Sequence, residues 1–184
     1  MDEIDIMSVP RLTQIEAAIR EIPDFPRPGI RFKDITPVLG DPVLLKHCQD
    51  LHLEAVEDLR GSIDVVVGIE ARGFLFGPSL ASAIGAAFAP MRKPGKLPAE
   101  TVEQAYALEY GTNTVQLHRD AIARGQGVLL VDDLLATGGT ASAGITLIES
   151  LGGRLLGCLF MVELTFLNGR ASLGEYRIDT LVRY

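Results

Sequence analysis

Three unbroken apolar runs constrain this chain most: "IDVVVGI" at 63–69, "VLLV" at 128–131 and "LLGCLFMV" at 155–162. A strand with one face in water alternates apolar and polar residues, because successive side chains point to opposite faces. Runs without that alternation belong to strands covered on both faces, as in parallel sheets packed between helices. The intervening segments supply the helices: "SLASAIGA" follows the first run, and residues 140–151 follow the second. "AFAPM" at 87–91 adds another strand. Strand and helix in alternation predict an α/β fold, an open, mainly parallel sheet flanked by helices. With 184 residues and no internal repeat, low-complexity stretch or linker, the chain reads as one domain.

Leu12, Ile15, Ile19 and Ile22 recur at helical spacing and predict an amphipathic helix over 10–22. "DFPRPGIRFKDITPVLGDP" at 24–42 is punctuated by Pro and Gly and reads as an extended loop. Asp41-Pro42 then looks like an N-cap with proline at the first helical position. It opens a helix with Leu44, Cys48, Leu51, Ala55 and Leu59 on one face. Residues 94–113 are polar and read as a mobile loop, "TVQL" as a short strand and "HRDAIA" as a brief helix or turn.

Apolar residues make up 47% of the chain and charged residues 22%, the composition of a soluble globular protein. No apolar run approaches the roughly 20 residues that span a bilayer. The acidic start "MDEIDIMSVP" has no signal-peptide pattern, so a cytoplasmic protein without membrane partners is expected. The two cysteines, Cys48 and Cys158, lie in apolar-periodic segments and read as buried thiols rather than a disulfide or a zinc site. His47 and His52 read as surface or boundary residues. A net charge of −7 argues against a general nucleic-acid binder but allows a small anion held by a local basic cluster.

Ligands of open parallel sheets bind beyond the carboxyl ends of the strands. Three strands here end in unusual sequence: "EARG" after 63–69, "RKPGK" after 87–91 and "DDLLATGGT" after 128–131. The "ATGGT" loop opens onto a helix, where free backbone N–H groups bind anions and glycines permit close approach. The same residues also suit an ordinary tight turn with Thr140 as N-cap. Asp132 and Asp133 should not face a bare phosphate, since charges about 4 Å apart repel by about 1 kcal/mol in water and about 4 at intermediate dielectric. Ligand hydroxyls or a hydrated Mg²⁺ would resolve that conflict. Arg72, Arg92, Lys93 and Lys96 could form a second anion site, although a charge run is usually a solvated turn.

"VLLVDDLLATGGT" resembles the phosphoribosyl pyrophosphate (PRPP) signature of the type I phosphoribosyltransferases. "IPDFPRPGIRFKDITPVL", "GIEARGFLFGPSLA", "RKPGKLP", "YALEYG" and "MVELTFLNGR" extend the resemblance over nearly the whole chain and narrow it to the members acting on adenine. The resemblance implies the type I fold, with a small hood built from residues 1–35 and the C-terminal end. It implies transfer of the 5-phosphoribosyl group of PRPP to adenine, giving AMP and pyrophosphate in purine salvage, with Mg²⁺ and as a homodimer. It further implies that Ala136, Thr137, Gly138, Gly139 and Thr140 wrap the 5′-phosphate. Asp132 and Asp133 would lie against the ribose hydroxyls, directly or through metal and water. Arg72, Arg92, Lys93 and Lys96 would hold the pyrophosphate, and "EARG" would carry a non-proline cis peptide.

By the same resemblance adenine lies against Phe32, with backbone groups of Arg31 and Lys33 reading its edge and Leu134 closing the other face. Stacking on an aromatic contributes about 1–3 kcal/mol but does not separate purines, so the backbone groups must select the amino purine. Read alone, Phe32 is a core aromatic in a proline-rich loop. Glu109 and Tyr110 in "LEYG" resemble the flexible catalytic loop, with Glu109 managing the purine proton and Arg72 assisting catalysis. Read alone, "LEYG" is an unremarkable loop. Two other functions remain open: a same-fold enzyme for hypoxanthine, guanine or xanthine, and a PRPP-sensing regulator of the same fold. The −7 charge and the lack of an N-terminal helix-turn-helix pattern weigh against the regulator.

Overall fold

A computed structural model describes residues 5–107 and 112–184. The chain divides into two compact units, Met1–Leu51 and His52–Tyr184.

In the first unit, α1 (Asp5–Ala18) is followed by β1 (Arg20–Pro23), β2 (Arg31–Asp34), α2 (Thr36–Gly40) and the start of α3 (Pro42–Ala55). The helix predicted to run to residue 22 ends at Ala18, and Ile22 lies instead in β1, opposite Phe32 of antiparallel β2. Cross-strand pairing overrides the helical spacing here; of the extended loop expected at 24–42, residues 24–30 connect the two strands without helix or strand, while β2 and α2 take up 31–34 and 36–40. Polar contacts hold the pair: Lys33 Nζ reaches Glu21 at 2.9 Å and Arg20 reaches Asp34 at 2.6 Å. The Arg20 guanidinium, with the N–H and hydroxyl of Thr36, holds the Asp34 carboxyl down at about 2. The N-cap predicted at Asp41 is present, its Oδ1 accepting the N–H of Val43 at 2.8 Å and of Leu44 at 3.1 Å.

The second unit contains β3 (Val65–Ile69), α4 (Gly77–Ile84), β4 (Ala87–Met91), β5 (Thr101–Ala107), β6 (Thr112–His118), β7 (Gly127–Leu135), α5 (Gly139–Ser150), β8 (Arg154–Glu163) and β9 (Ile178–Arg183). Five of these strands form a parallel sheet in the order β4-β3-β7-β8-β9. The predicted parallel sheet is therefore observed, and the unbroken apolar runs are its central strands. Val128, Leu129, Leu130 and Val131 are wholly buried. Counted within the sheet, the strand order is second, first, third, fourth, fifth. The direction of winding reverses between β3 and β7, and the crevice beyond their carboxyl ends is where such sheets bind ligands.

Register decides what fills that crevice. Pairing of β3 with β7 stops at Gly68 opposite Val131, whereas β8 pairs with β7 as far as Leu135 opposite Glu163. Asp132 and Asp133 thus lie within β7, not after it, on a segment that has run past its neighbour.

Residues 94–113, expected as a loop, contain β5, which pairs antiparallel with β6. Its "TVEQAYA" alternates weakly, and Val102 and Tyr106 pack on the main core. His52 is a second departure. It is 2% exposed and stacks on Phe76 with ring centroids 5.0 Å apart, one helical turn beyond buried Cys48. Both cysteines are free and buried, and burial pushes their thiols up to about 12, so neither is a thiolate at neutral pH.

Because Leu130 is fully buried in the central strand, Leu130→Ala should cost about 2–5 kcal/mol of stability, measured as a lower urea midpoint.

Candidate active site

β3 delivers Glu70 to the crevice, and the Glu70–Ala71 peptide that follows is cis, as the resemblance implied. The Glu70 N–H donates to Met91 O at 2.8 Å, fastening this turn to the end of β4. Its carboxylate accepts the Lys93 N–H at 2.9 Å and Arg92 Nε at 3.2 Å. Burial opposes the charge, but the Lys93 N–H and the Arg92 guanidinium more than offset it and hold the Glu70 carboxyl below its usual range. Arg92 is fixed further by the Lys96 carbonyl at 3.3 Å and by the Phe74 ring, 5.9 Å from its guanidinium carbon. Lys93 and Lys96 stand exposed on the same turn.

The next turn, Arg72–Leu75, lies against the overhanging end of β7. A Cβ on Gly73 would sit 2.6 Å from the Val131 carbonyl oxygen, so only glycine allows this approach. The approach lets Arg72 Nε hydrogen-bond to Asp133 Oδ2. Asp133 is 6% exposed, so the cation compensates a buried charge.

Asp132 and Asp133 point to opposite faces of β7, as strand geometry requires. Asp132 Oδ1 accepts the Asp133 N–H at 2.9 Å. Burial, and secondarily the adjacent Asp133 charge, push the Asp132 carboxyl well above its usual range. The two acids therefore differ in character: Asp133 is engaged by Arg72, while Asp132 is held in surroundings that disfavour its charge. Leu134 shares the Asp132 face and is half-buried.

β7 then gives way to the Ala136–Gly138 turn and α5. Gly138 has φ +82°, and the first helical bond runs from Ser142 N–H to Gly138 O at 2.8 Å. The N–H groups of Gly139, Thr140 and Ala141 are those that a helix start leaves without an intrahelical acceptor. Among the described residues no side chain caps this end. Thr140 lies within α5, so the alternative of an ordinary turn capped by Thr140 does not describe the loop. Backbone donors and the positive end of the helix dipole suit an anion there.

The second unit thus assembles Arg72, Arg92, Lys93, Lys96, Asp132, Asp133, Leu134 and Ala136–Thr140 along one edge of its sheet. Arg31, Phe32 and Lys33 belong to the first unit, on β2. There Phe32 packs edge-on against Phe25 at 5.2 Å. Arg31 and Lys33 both pair with Glu21. Glu109 and Tyr110 lie outside the described residues. Glu70, the residue after β3, and Glu163, the last residue of β8, have no role in the sequence analysis, although arginines follow at 72 and 170. An acid at such a position was the available signal.

The family model for the phosphoribosyl transferase domain matches residues 38–172, and the chain belongs to that family. Its relatives include the adenine phosphoribosyltransferase of Acetivibrio thermocellus, 53% identical over 170 residues, or 92% of this chain and 99% of the relative. Among solved structures, adenine phosphoribosyltransferase from Thermoanaerobacter pseudethanolicus is 51% identical with a TM-score of 0.90, over 94% of this chain and 99% of that one. The Saccharomyces cerevisiae enzyme, complexed with an imino-altritol bisphosphate and adenine, is 40% identical with a TM-score of 0.89, over 94% and 99%. The relatives agree with the adenine-directed resemblance of the motifs.

A raised Asp132 carboxyl means that the folded state favours its protonated form. That contribution is complete below the usual 3.8 and is lost as pH rises through the folded value. Asp132→Asn should therefore melt higher than the parent at pH 7, and the difference should shrink as pH approaches 4.

Proposed function

We propose that this chain is an adenine phosphoribosyltransferase, transferring the 5-phosphoribosyl group of PRPP to adenine and releasing pyrophosphate. The observation that carries the reading is β7 running past β3, which joins the Asp132–Asp133 pair directly to the Ala136–Thr140 anion loop at the switch of the sheet. Full-length adenine phosphoribosyltransferase relatives support the choice of base.

In this reading Ala136, Thr137, Gly138, Gly139 and Thr140 hold the 5′-phosphate with backbone N–H groups and the two threonine hydroxyls. Asp132 meets the ribose hydroxyls, with which its carboxyl can hydrogen-bond in either protonation state. Lys93 and Lys96 take the pyrophosphate with Arg92. Arg72 divides its charge between Asp133 and that group. The resemblance of the motifs assigns base contacts to Phe32 with backbone groups of Arg31 and Lys33, and to Leu134. Adenine N9 forms a bond to ribose C1, the bond from C1 to the pyrophosphate oxygen breaks, and the N9 proton passes to Glu109. Tyr110 and Glu109 belong to the segment that excludes water from the reacting centre. The reaction centre carries oxocarbenium character, as in glycoside chemistry, so charge stabilisation of the departing group matters most.

Mg²⁺ fits this site in one way. Among the described residues no group of three or more His, Cys, Asp or Glu could hold a metal. Asp132 and Asp133 lie on opposite faces of β7, so one of them at a time can offer a carboxylate, within the usual protein share where substrate phosphates supply the rest. Bound there, the cation would neutralise charge on the leaving pyrophosphate. A homodimer and a cytoplasmic setting belong to the same proposal through the resemblance of the motifs. No described helix is long and apolar enough to cross a membrane.

Purified protein should form AMP from adenine and PRPP only with Mg²⁺, with kcat/KM for guanine and hypoxanthine at least about a hundredfold lower. Equal turnover of another purine would replace the adenine assignment, and tight PRPP binding without turnover would favour a regulator. Glu109→Ala should lower kcat by about 10²–10⁴-fold, the range of general acid–base catalysis, with a much smaller change in PRPP affinity. Equal losses in both would reduce the loop to a positioning role.

A further inference from the structure

The motif "ELTFLNGR" and the serine two residues beyond it have no role in the reaction described above. They run from the last residue of β8 through two 3-10 turns, Thr165–Leu167 and Gly169–Leu173, and three contacts bind them to the end of β7 and the anion loop. The Leu164 N–H donates to Leu135 O at 2.9 Å, just ahead of the loop. Gly169 is packed so closely on Ala136 that any Cβ there would overlap the Ala136 carbonyl oxygen. Ser172 Oγ donates to Thr137 O at 2.9 Å. From the other side, a Cβ on Gly138 would lie 2.5 Å from Gly169 O and 3.0 Å from Ser172 Cβ. The left-handed Gly138 that directs the N–H groups of α5 is thus moulded by this second loop.

The second loop has its own anchor. Arg170 makes a fork with Glu163, Nε to Oε1 at 2.7 Å and Nη2 to Oε2 at 2.8 Å, while Nη1 donates to Ile178 O at 3.0 Å. Glu163 is 4% exposed and also accepts the Thr180 hydroxyl at 3.0 Å, and Arg183 Nε lies 3.3 Å from it. Oε2 thereby has three partners and Oε1 one, and Arg170 is held at four points, its Nη2 also reaching Thr180 Oγ1 at 3.3 Å. Gly169 and Ser172, on either side of Arg170, inherit that position.

The geometry points to Arg170 and Ser172 as positioning residues for phosphate recognition: anchored on Glu163, the 165–173 segment sets the shape of the Ala136–Thr140 loop, which receives the 5′-phosphate. The inference rests on the function proposed above, since it presumes that this loop binds the phosphate of PRPP. Neither side chain need touch substrate. Ser172 acts through the Thr137 carbonyl and Arg170 through the backbone of its neighbours. A lysine at 170 keeps the charge but cannot reproduce a fork that also donates to Ile178 O.

The test measures steady-state AMP formation from adenine and PRPP, and binding of ribose 5-phosphate by calorimetry, for the parent, Ser172→Ala and Arg170→Lys. Ser172→Ala should raise KM for PRPP and Kd for ribose 5-phosphate by about three- to tenfold, the equivalent of one lost hydrogen bond, leaving KM for adenine unchanged. Arg170→Lys should move the same two constants in the same direction by at least as much. A loop that serves only stability would lower the melting temperature and the active fraction without moving either constant, and that result for Ser172→Ala overturns the inference. So does an equal rise in KM for adenine, or a parent protein that binds no ribose 5-phosphate. A parent that binds ribose 5-phosphate but makes no AMP would end the proposed activity, while weaker binding by Ser172→Ala would still uphold the positioning role.

Discussion

Pairing between β3 and β7 ends at Gly68 opposite Val131, and β8 alone accompanies β7 to Leu135. The other features of the site depend on that difference in length. An overhanging strand keeps extended geometry while one of its edges is no longer covered by a neighbour, so Asp132 and Asp133 alternate across it beside an open crevice. The Arg72–Leu75 turn then packs against the overhang. Had β7 ended with β3, the same acids would lie in a turn with no obligatory direction.

Charge at this edge is arranged by partners. Asp133, nearly buried, is matched by Arg72. Glu70 organises Arg92 and the backbone of Lys93, and its carboxyl is stabilised in the ionised form by them. Asp132 has its neighbour's N–H but stands in surroundings that oppose its charge. A site so composed can present cations to a phosphate-bearing ligand without exposing those acids to it directly. The acidic net charge of the whole chain is compatible with this because ion pairs at short range outweigh distant charges screened by salt.

The central strands were legible because "IDVVVGI", "VLLV" and "LLGCLFMV" report burial on both faces through composition alone. β5 was not, since a hairpin strand with "TVEQAYA" carries only weak alternation and its neighbours in sequence are polar. His52 misled for a related reason: histidine is read as a boundary residue by type, yet one turn past Cys48 it shares a buried face and stacks on Phe76. The helix expected to include Ile22 had the right spacing, but pairing with Phe32 across β1 and β2 prevailed.

By itself the sequence determined the parallel α/β sheet, the strand ends that carry polar chemistry, the Asp41 cap and the motifs that resemble a phosphoribosyltransferase. These are local properties: composition of a run, the order of charged and glycine residues, the chemistry of a turn. Only the tertiary structure decided that Asp132 and Asp133 lie within β7, that Arg72 engages Asp133, that Glu70 aligns Arg92, and that Gly169 and Ser172 mould the turn around Gly138. Each of those joins residues distant along the chain, and register and close backbone approach between separate elements leave no signature in the order of residues.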